Sequence, residues 1–205
     1  MFIRRLIHKF NNHRFEKRMA KQRYKKGFSD SDCWGMNYWL TSTFPEMILN
    51  LRDMKHGAPE LPFEEFDKLP LDWKDLELQK YKRVQEKNGY EYEPDSIFTK
   101  WYILLTRMAY CLKEADEDKE IYNPYEKDYN KAVWGEDFGK EKTFTEFWDK
   151  HCEKVDGGYI IKTNEPDEDL KNKYYKVEED NWKYKEQMKD EALDLLKKYF
   201  YNLWD

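Results

Sequence analysis

Cysteine is scarce: Cys33, Cys111 and Cys152 are the three in 205 residues, widely spaced and odd in number. They form no CxxC pair and no zinc-ligand spacing, so a disulfide framework is excluded and free thiols in a reducing cytoplasm are expected. Glycine is scarce as well, with eight residues at apparent helix ends, in turns or beside Trp. The phosphate-binding GxxxxGK[ST] and GxGxxG patterns are missing, and so are HExxH and GxSxG. The four histidines, His8, His13, His56 and His151, are scattered. No apolar run approaches the roughly 20 residues that span a bilayer. Arg4, Arg5, His8 and Lys9 interrupt the first apolar residues, so no secretory signal is expected. No catalytic residue, metal or cofactor is assigned on this basis.

Aromatic and charged residues are abundant instead. Charged residues make up 39% of the chain, a level that suits disorder when aromatics are few. Here 16 Tyr, 12 Phe and 8 Trp argue for a folded chain that buries wide rings with their polar tips at the surface. The length suits one domain, or a domain with a small appendage, able to bury a core without staples. The net charge of −5 is unevenly placed. Residues 1–26 carry ten Lys/Arg against Glu16, a net of +9, which leaves −5 − 9 = −14 on residues 27–205. Such asymmetry marks either a nucleic-acid or lipid-binding arm or a basic helix docked on its own acidic body or on a neighbouring subunit. The spacing predicts an amphipathic helix over 2–26, with Phe2, Ile3, Leu6, Ile7 and Phe10 on one face and Phe15, Met19 and Tyr24 continuing it.

The stretch from Gly27 to Gly57 has a start signal, an apolar face and a stop signal. Ser29 and Asp30 can cap a helix, and Asp30 and Asp32 suit its positive end. Met47, Ile48, Leu51 and Met54 recur at helical spacing and are expected to face a core, extended by Cys33, Leu40 and Phe44. Pro45 predicts a kink or break near Thr43–Phe44. His56-Gly57 followed by Pro59 reads as a C-terminal stop. Through Gly27-Phe28-Ser29-Asp30, Asp32, Trp34, Tyr38, Pro45, Gly57 and Pro59, this stretch resembles a family of uncharacterised proteins encoded by tailed bacteriophages. The Trp101–Leu112 helix and the C-terminal segment ALDLLKKYFYNLW (192–204) are similar too, so the resemblance covers about half the chain. It implies a phage source and a mostly helical fold, and it carries no catalytic residues.

Further along, Phe63 and Phe66 are expected to hold the Pro- and Glu-rich 58–70 connection to the core. Leu71–Lys87 reads as a helix with Trp73, Leu76, Tyr81 and Val84 on one side, ended by Asn88-Gly89. Glu91, Glu93 and Asp95 alternate with Tyr90 and Tyr92, where an extended chain can offer oxygens to a divalent cation or form a solvated acidic loop. Ser96 caps the next predicted helix, whose stripe Ile97, Trp101, Leu104, Leu105, Met108 and Leu112 marks the centre of the core. From Lys113 to Lys142 the pattern fades into a long irregular stretch bearing Tyr122, Tyr125, Tyr129, Trp134 and Phe138. Thr143 and Thr145 can cap a short helix over Glu146–Val155 with Phe147 and Trp148 on its face. Asp156-Gly157-Gly158 and Tyr159-Ile160-Ile161-Lys162 predict a turn and a small strand or hairpin. A last helix is expected from Val177 to Leu203, with Trp182, Met188, Ala192, Leu195, Leu196 and Tyr199 facing inward.

The expected fold is therefore mainly α, a single-domain helical bundle over residues 27–205 with long aromatic-rich loops, at most a small β-hairpin, and an N-terminal basic helix over 1–26. The expected function is that of a phage-encoded, non-catalytic binding protein in the host cytoplasm, as a monomer or homo-oligomer. It captures a host protein, or it sequesters a small anionic nucleotide signal. For the nucleotide, Tyr122, Tyr125, Tyr129 and Trp134 would supply stacking rings, and Arg4, Arg5, Arg14 and Arg18 would meet the phosphates. The alternatives are nucleic-acid binding through residues 1–26 and a metal-dependent hydrolase built on Glu91, Glu93 and Asp95.

Overall fold

The structure, a computed structural model, describes residues 2–54, 57–60, 63–136, 138 and 143–203, with all their side chains except those of residues 2–13, Trp34 and Phe144. The described chain is mainly helical, as expected. In order the helices are α1 (Phe2–Lys26), α2 (Asp30–Trp34), α3 (Met36–Tyr38), α4 (Phe44–Met54), α5 (Glu64–Lys68), α6 (Leu71–Lys87), α7 (Ile97–Glu114), α8 (Glu126–Trp134) and α9 (Phe144–His151). Strands β1 (Cys152–Val155) and β2 (Gly158–Ile161) follow, then α10 (Glu168–Tyr199). Contacts gather into two compact units: Met1–Asp116 with Gln187–Asp205, called unit 1, and Glu117–Glu186, called unit 2.

In unit 1, α1 ends where Gly27 adopts φ 81°, a left-handed conformation that carries no Cβ penalty for glycine. Ser29 caps α2 in a reciprocal box: its hydroxyl accepts from the Asp32 N–H, and the Asp32 carboxylate accepts from the Ser29 N–H at 2.7 Å. Arg23 forks onto the same carboxylate at 3.0 and 2.5 Å, while Arg18 and Gln22 donate to Asp30 at 3.1 and 2.7 Å. Two of the arm's arginines therefore face the body's own acids. The expected break before Pro45 takes the form of a π-helical turn over Trp39–Thr43, whose wider hydrogen bonding accommodates a residue without an N–H. Pro45 and Ile48 are buried, but Met47 and Met54, expected inside, are exposed; α4 buries a narrower face than its periodicity predicts. The expected His56 stop lies partly outside the described residues, as do the side chains of Phe2, Ile3, Leu6, Ile7 and Phe10.

The core of unit 1 is built around α7. Ser96 caps it by accepting from the Thr99 N–H at 3.2 Å. Trp101, Ile103, Leu104, Leu105, Met108, Ala109, Cys111 and Leu112 are buried, so the helix is enclosed on most sides; Ile97, expected in the stripe, is exposed. Ile48, Phe63, Phe66, Leu69, Tyr81, Ala192, Leu195 and Tyr199 complete the cluster. Complete burial of a leucine such as Leu104 stabilises the fold by roughly 1.5–3 kcal/mol. Arg107, 4% exposed, forks onto Glu191 at 2.7 and 2.6 Å, with its guanidinium 4.9 Å from the Trp73 ring centroid. The Tyr199 hydroxyl donates to Glu65 at 2.8 Å. Burial, reinforced by Glu65, pushes the Tyr199 phenol up.

Unit 2 is held differently. Buried Asn123 donates to the Tyr174 carbonyl at 3.2 Å and to Glu178 at 2.7 Å, and accepts from the Tyr125 N–H at 3.0 Å. The Trp134 ring lies 5.6 Å from Phe138, 5.8 Å from Phe147 and 5.5 Å from buried His151. The expected hairpin is present: β1 and β2 pair antiparallel with Cys152 opposite Ile161 and Val155 opposite Gly158. Thr143 caps α9 by accepting from the Glu146 N–H at 3.1 Å. The chain becomes strand at Cys152, where helix was expected to reach Val155. The irregular stretch over 113–142 contains the helix α8, which its sequence pattern did not announce.

Candidate functional site

A wide concavity lies within unit 1, between the C-terminal end of α4, the last turns of α6, the 88–96 loop and the start of α7. It is an open groove of about 1250 Å³. Asn88 ends α6, and Gly89 at φ 76° turns the chain back along the helices. The Thr99 hydroxyl then donates to the Glu93 carbonyl at 2.7 Å and fixes the far end of the loop.

Tyrosines dominate the walls. Tyr81 of α6 stacks on Tyr102 of α7 with centroids 4.0 Å apart and planes 27° apart, and Tyr92 of the loop meets Tyr81 edge-on at 6.3 Å. Tyr90, 65% exposed, and Phe98, 48% exposed, form the rim. Burial raises the phenol pKa values of Tyr81, Tyr92 and Tyr102 above their usual range. Asp95 adds to the effect at Tyr92, and Asp53 adds at Tyr102 against the opposing pull of Arg52. These hydroxyls are therefore neutral near pH 7 and able to donate as well as accept.

The charges are unequal. Among the described residues that line the groove, Arg52 is the one cation, against Asp53, Glu91 and Glu93. Its guanidinium donates twice to Asp53, at 2.8 and 3.0 Å, and once to the Thr106 hydroxyl at 3.1 Å, and lies 4.5 Å from the Tyr102 ring centroid. Arg52 is thus committed within the chain. Among the described residues no group of three His, Cys, Asp or Glu side chains comes together in a way that can hold a metal ion, Glu91, Glu93 and Asp95 included.

The ring and arginine positions expected from the sequence lie elsewhere. Tyr122 is 82% exposed and Tyr125 half-buried. Tyr129 stacks on Tyr174 with centroids 4.0 Å apart and planes 4° apart, and its hydroxyl shares a 3.0 Å hydrogen bond with Tyr175. That bond, with burial, pushes the Tyr129 phenol up to about 12. Trp134 sits in its own ring cluster. None of the four lines the groove or the smaller 280 Å³ cavity of unit 2. The smaller cavity is lined by Glu117, Asp118, Glu120, Glu126 and Glu178, and its Lys185 bonds to the carbonyls of Glu117 and Lys119 at 2.8 and 2.7 Å. Residues 117–186 contain no arginine. Arg14 and Arg18 are exposed in unit 1, Arg18 against Asp30, and Arg4 and Arg5 lie outside the described side chains.

Sequence reasoning placed Tyr81 and Val84 on a core-facing side and treated Tyr90–Asp95 as an acidic loop. The available signal was the Tyr-x-Tyr pair directly after Asn88-Gly89, flanked by Tyr81 on the preceding helix and Tyr102 on the following one. Comparison with protein-family models, with curated proteins and with solved structures finds no match to the chain. No helix of the described residues is long and apolar enough to cross a membrane.

Proposed function

We propose that this is a phage-encoded, non-catalytic binding protein that captures a host protein in the host cytoplasm, with the tyrosine groove of unit 1 as its capture face. The observation that carries the reading is the groove itself: four tyrosines and a phenylalanine around an open volume of about 1250 Å³. Ligand pockets for small molecules typically hold about 300–1,000 Å³ and enclose their guests, whereas this groove is larger and open to solvent. Tyrosine is among the residues that dominate binding energy at protein interfaces, since a rigid ring with a polar tip buries area at little entropic cost. The phage source rests on the resemblance of the 27–59 stretch.

The charge distribution supports capture of a protein over sequestration of an anionic nucleotide. Phosphates call for uncommitted Arg or Lys, and in the groove Arg52 is engaged by Asp53, Thr106 and the Tyr102 ring. The nucleic-acid reading of residues 1–26 is weakened by the pairing of Arg18 and Arg23 with Asp30 and Asp32. Native mass spectrometry of the protein recovered from infected host cells tests the proposal. A retained polypeptide is the expected result. A retained mass of several hundred daltons would replace the reading with nucleotide sequestration, and the same spectrum reads any homo-oligomer directly.

A further inference from the structure

We infer that the captured segment presents a lysine or arginine side chain to the groove's tyrosines, an inference that rests on the groove being the capture face. The first ground is that the walls already bind cations within the chain. Arg52 lies 4.5 Å from the Tyr102 centroid, and the Lys82 ammonium lies 6.0 Å from that of Tyr92. Both contacts show rings of this groove drawing cations at the distance over which a cation is attracted to a ring, although these two positions are already taken by the chain's own side chains. Tyr92 and Tyr90 extend the same chemistry along the loop toward solvent.

The second ground is the sign of the lining. Asp53 neutralises Arg52 through two hydrogen bonds, and Lys82 beside Tyr92 pairs with Glu86 at 3.8 Å, so Glu91 and Glu93 contribute two further carboxylates with no other cation among the described lining residues. A segment rich in Asp or Glu meets like charge there. An apolar segment fills the same volume but gains nothing from the two glutamates. A guanidinium or ammonium gains from both the rings and the carboxylates, and its aliphatic stem covers the apolar edges of Val84 and Phe98. The third ground is hydrogen bonding. A guanidinium carries five N–H donors, and the glutamates, the Gln85 and Asn88 amide oxygens and the neutral phenols all accept.

The experiment titrates the full-length chain with two acetylated, amidated hexapeptides, one alternating arginine and alanine and one alternating citrulline and alanine. Citrulline keeps the shape of arginine and removes the charge. The arginine peptide is expected to bind about tenfold more tightly at low salt, the ratio that an exposed cation–ring contact and the attraction of the two glutamates provide together. The double variant Glu91→Gln/Glu93→Gln, on an exposed loop, is expected to lower that ratio to about threefold, the remainder coming from the rings, while leaving citrulline-peptide binding and the circular dichroism spectrum unchanged. Equal affinity of the two peptides for the native chain would overturn the inference and leave groove capture standing. Arginine-peptide binding that survives Val84→Trp, which fills the groove from an exposed wall position, would place the peptide elsewhere and overturn the inference as well. Binding of neither peptide also overturns it, and the groove reading is then judged separately by the polypeptide retained from cells.

Discussion

Unit 1 builds its interior from buried aliphatic side chains of α7 together with rings such as Phe63, Trp101 and Tyr199, while unit 2 has Val133 as its one buried aliphatic residue among those described and is held by rings packed on rings and by the ties of Asn123. Where aliphatic side chains share the centre, a tyrosine can be left exposed along an open side, as at Tyr90. Where rings must supply the packing themselves, as at Tyr129 against Tyr174, their faces are occupied. A high aromatic content is therefore not in itself a capacity to bind. What matters is which rings the rest of the packing releases.

The sharpest way to break this comparison is in the two interiors. Leu104→Ala should destabilise unit 1 by about 2–5 kcal/mol, since the side chain is wholly buried and leaves a cavity. Arg107→Ala should cost about 1.5–3 kcal/mol by removing the charged hydrogen bonds to Glu191, whose partly exposed carboxylate keeps contact with water. Urea unfolding followed by tryptophan fluorescence measures both. In unit 2, Tyr129→Leu removes one ring stack and one shared hydrogen bond, and should cost only about 0.5–1.5 kcal/mol. If Tyr129→Leu proved as damaging as Leu104→Ala, the contrast between the units would fail.

Alkaline titration sharpens the same contrast. The phenols of Tyr81, Tyr92, Tyr102 and Tyr199 have raised pKa values in the folded chain, with burial as the leading cause, whereas at Tyr129 the leading cause is the Tyr175 hydroxyl. Because the folded values exceed the unfolded value of about 10, the stability they contribute is complete below that pH and is lost as the pH rises through the folded values. Tyr175→Phe should bring the Tyr129 titration down from about 12 toward the ordinary value while leaving the groove phenols unmoved, as read by ultraviolet absorbance. The acid side has the opposite sign. The Arg23 fork and the Ser29 N–H hold the Asp32 carboxyl well below the usual carboxylate range, and the amide of Gln22 leads in lowering Asp30. The α1–α2 corner should therefore be intact above about pH 4 and loosen as the pH falls below it, which amide exchange at Ser29–Asp32 would follow. The smallest effect on stability is expected in the groove: Tyr90→Ser, at an exposed rim position, should stay within about 0.5 kcal/mol of the native chain.

Local chemistry made much of the fold legible. Ser29, Ser96 and Thr143 cap the helices that their side chains suggest, and the Trp101–Leu112 stripe marks the centre of unit 1. The hairpin turn at Gly157-Gly158 was readable for the same reason. What periodicity could not show was which side of an amphipathic helix a neighbour would cover. Val84 and Met54 share helical spacing with core residues and yet line an open groove. The groove joins Tyr81 to Tyr102 across two helices, and that pairing is tertiary. The Tyr122–Trp134 rings resembled a ligand platform because the partners of Tyr129 stand about 46 positions further along the chain.

The central claim is that binding belongs to the groove of unit 1 and not to the ring-rich stretch of unit 2. The most direct measurement compares two variants in the same native mass spectrum of protein recovered from host cells, Val84→Trp in the groove and Tyr122→Ser/Tyr125→Ser in unit 2. The account predicts that the retained polypeptide disappears from the groove variant and persists on the other. Loss from the unit 2 variant with retention by Val84→Trp would contradict it.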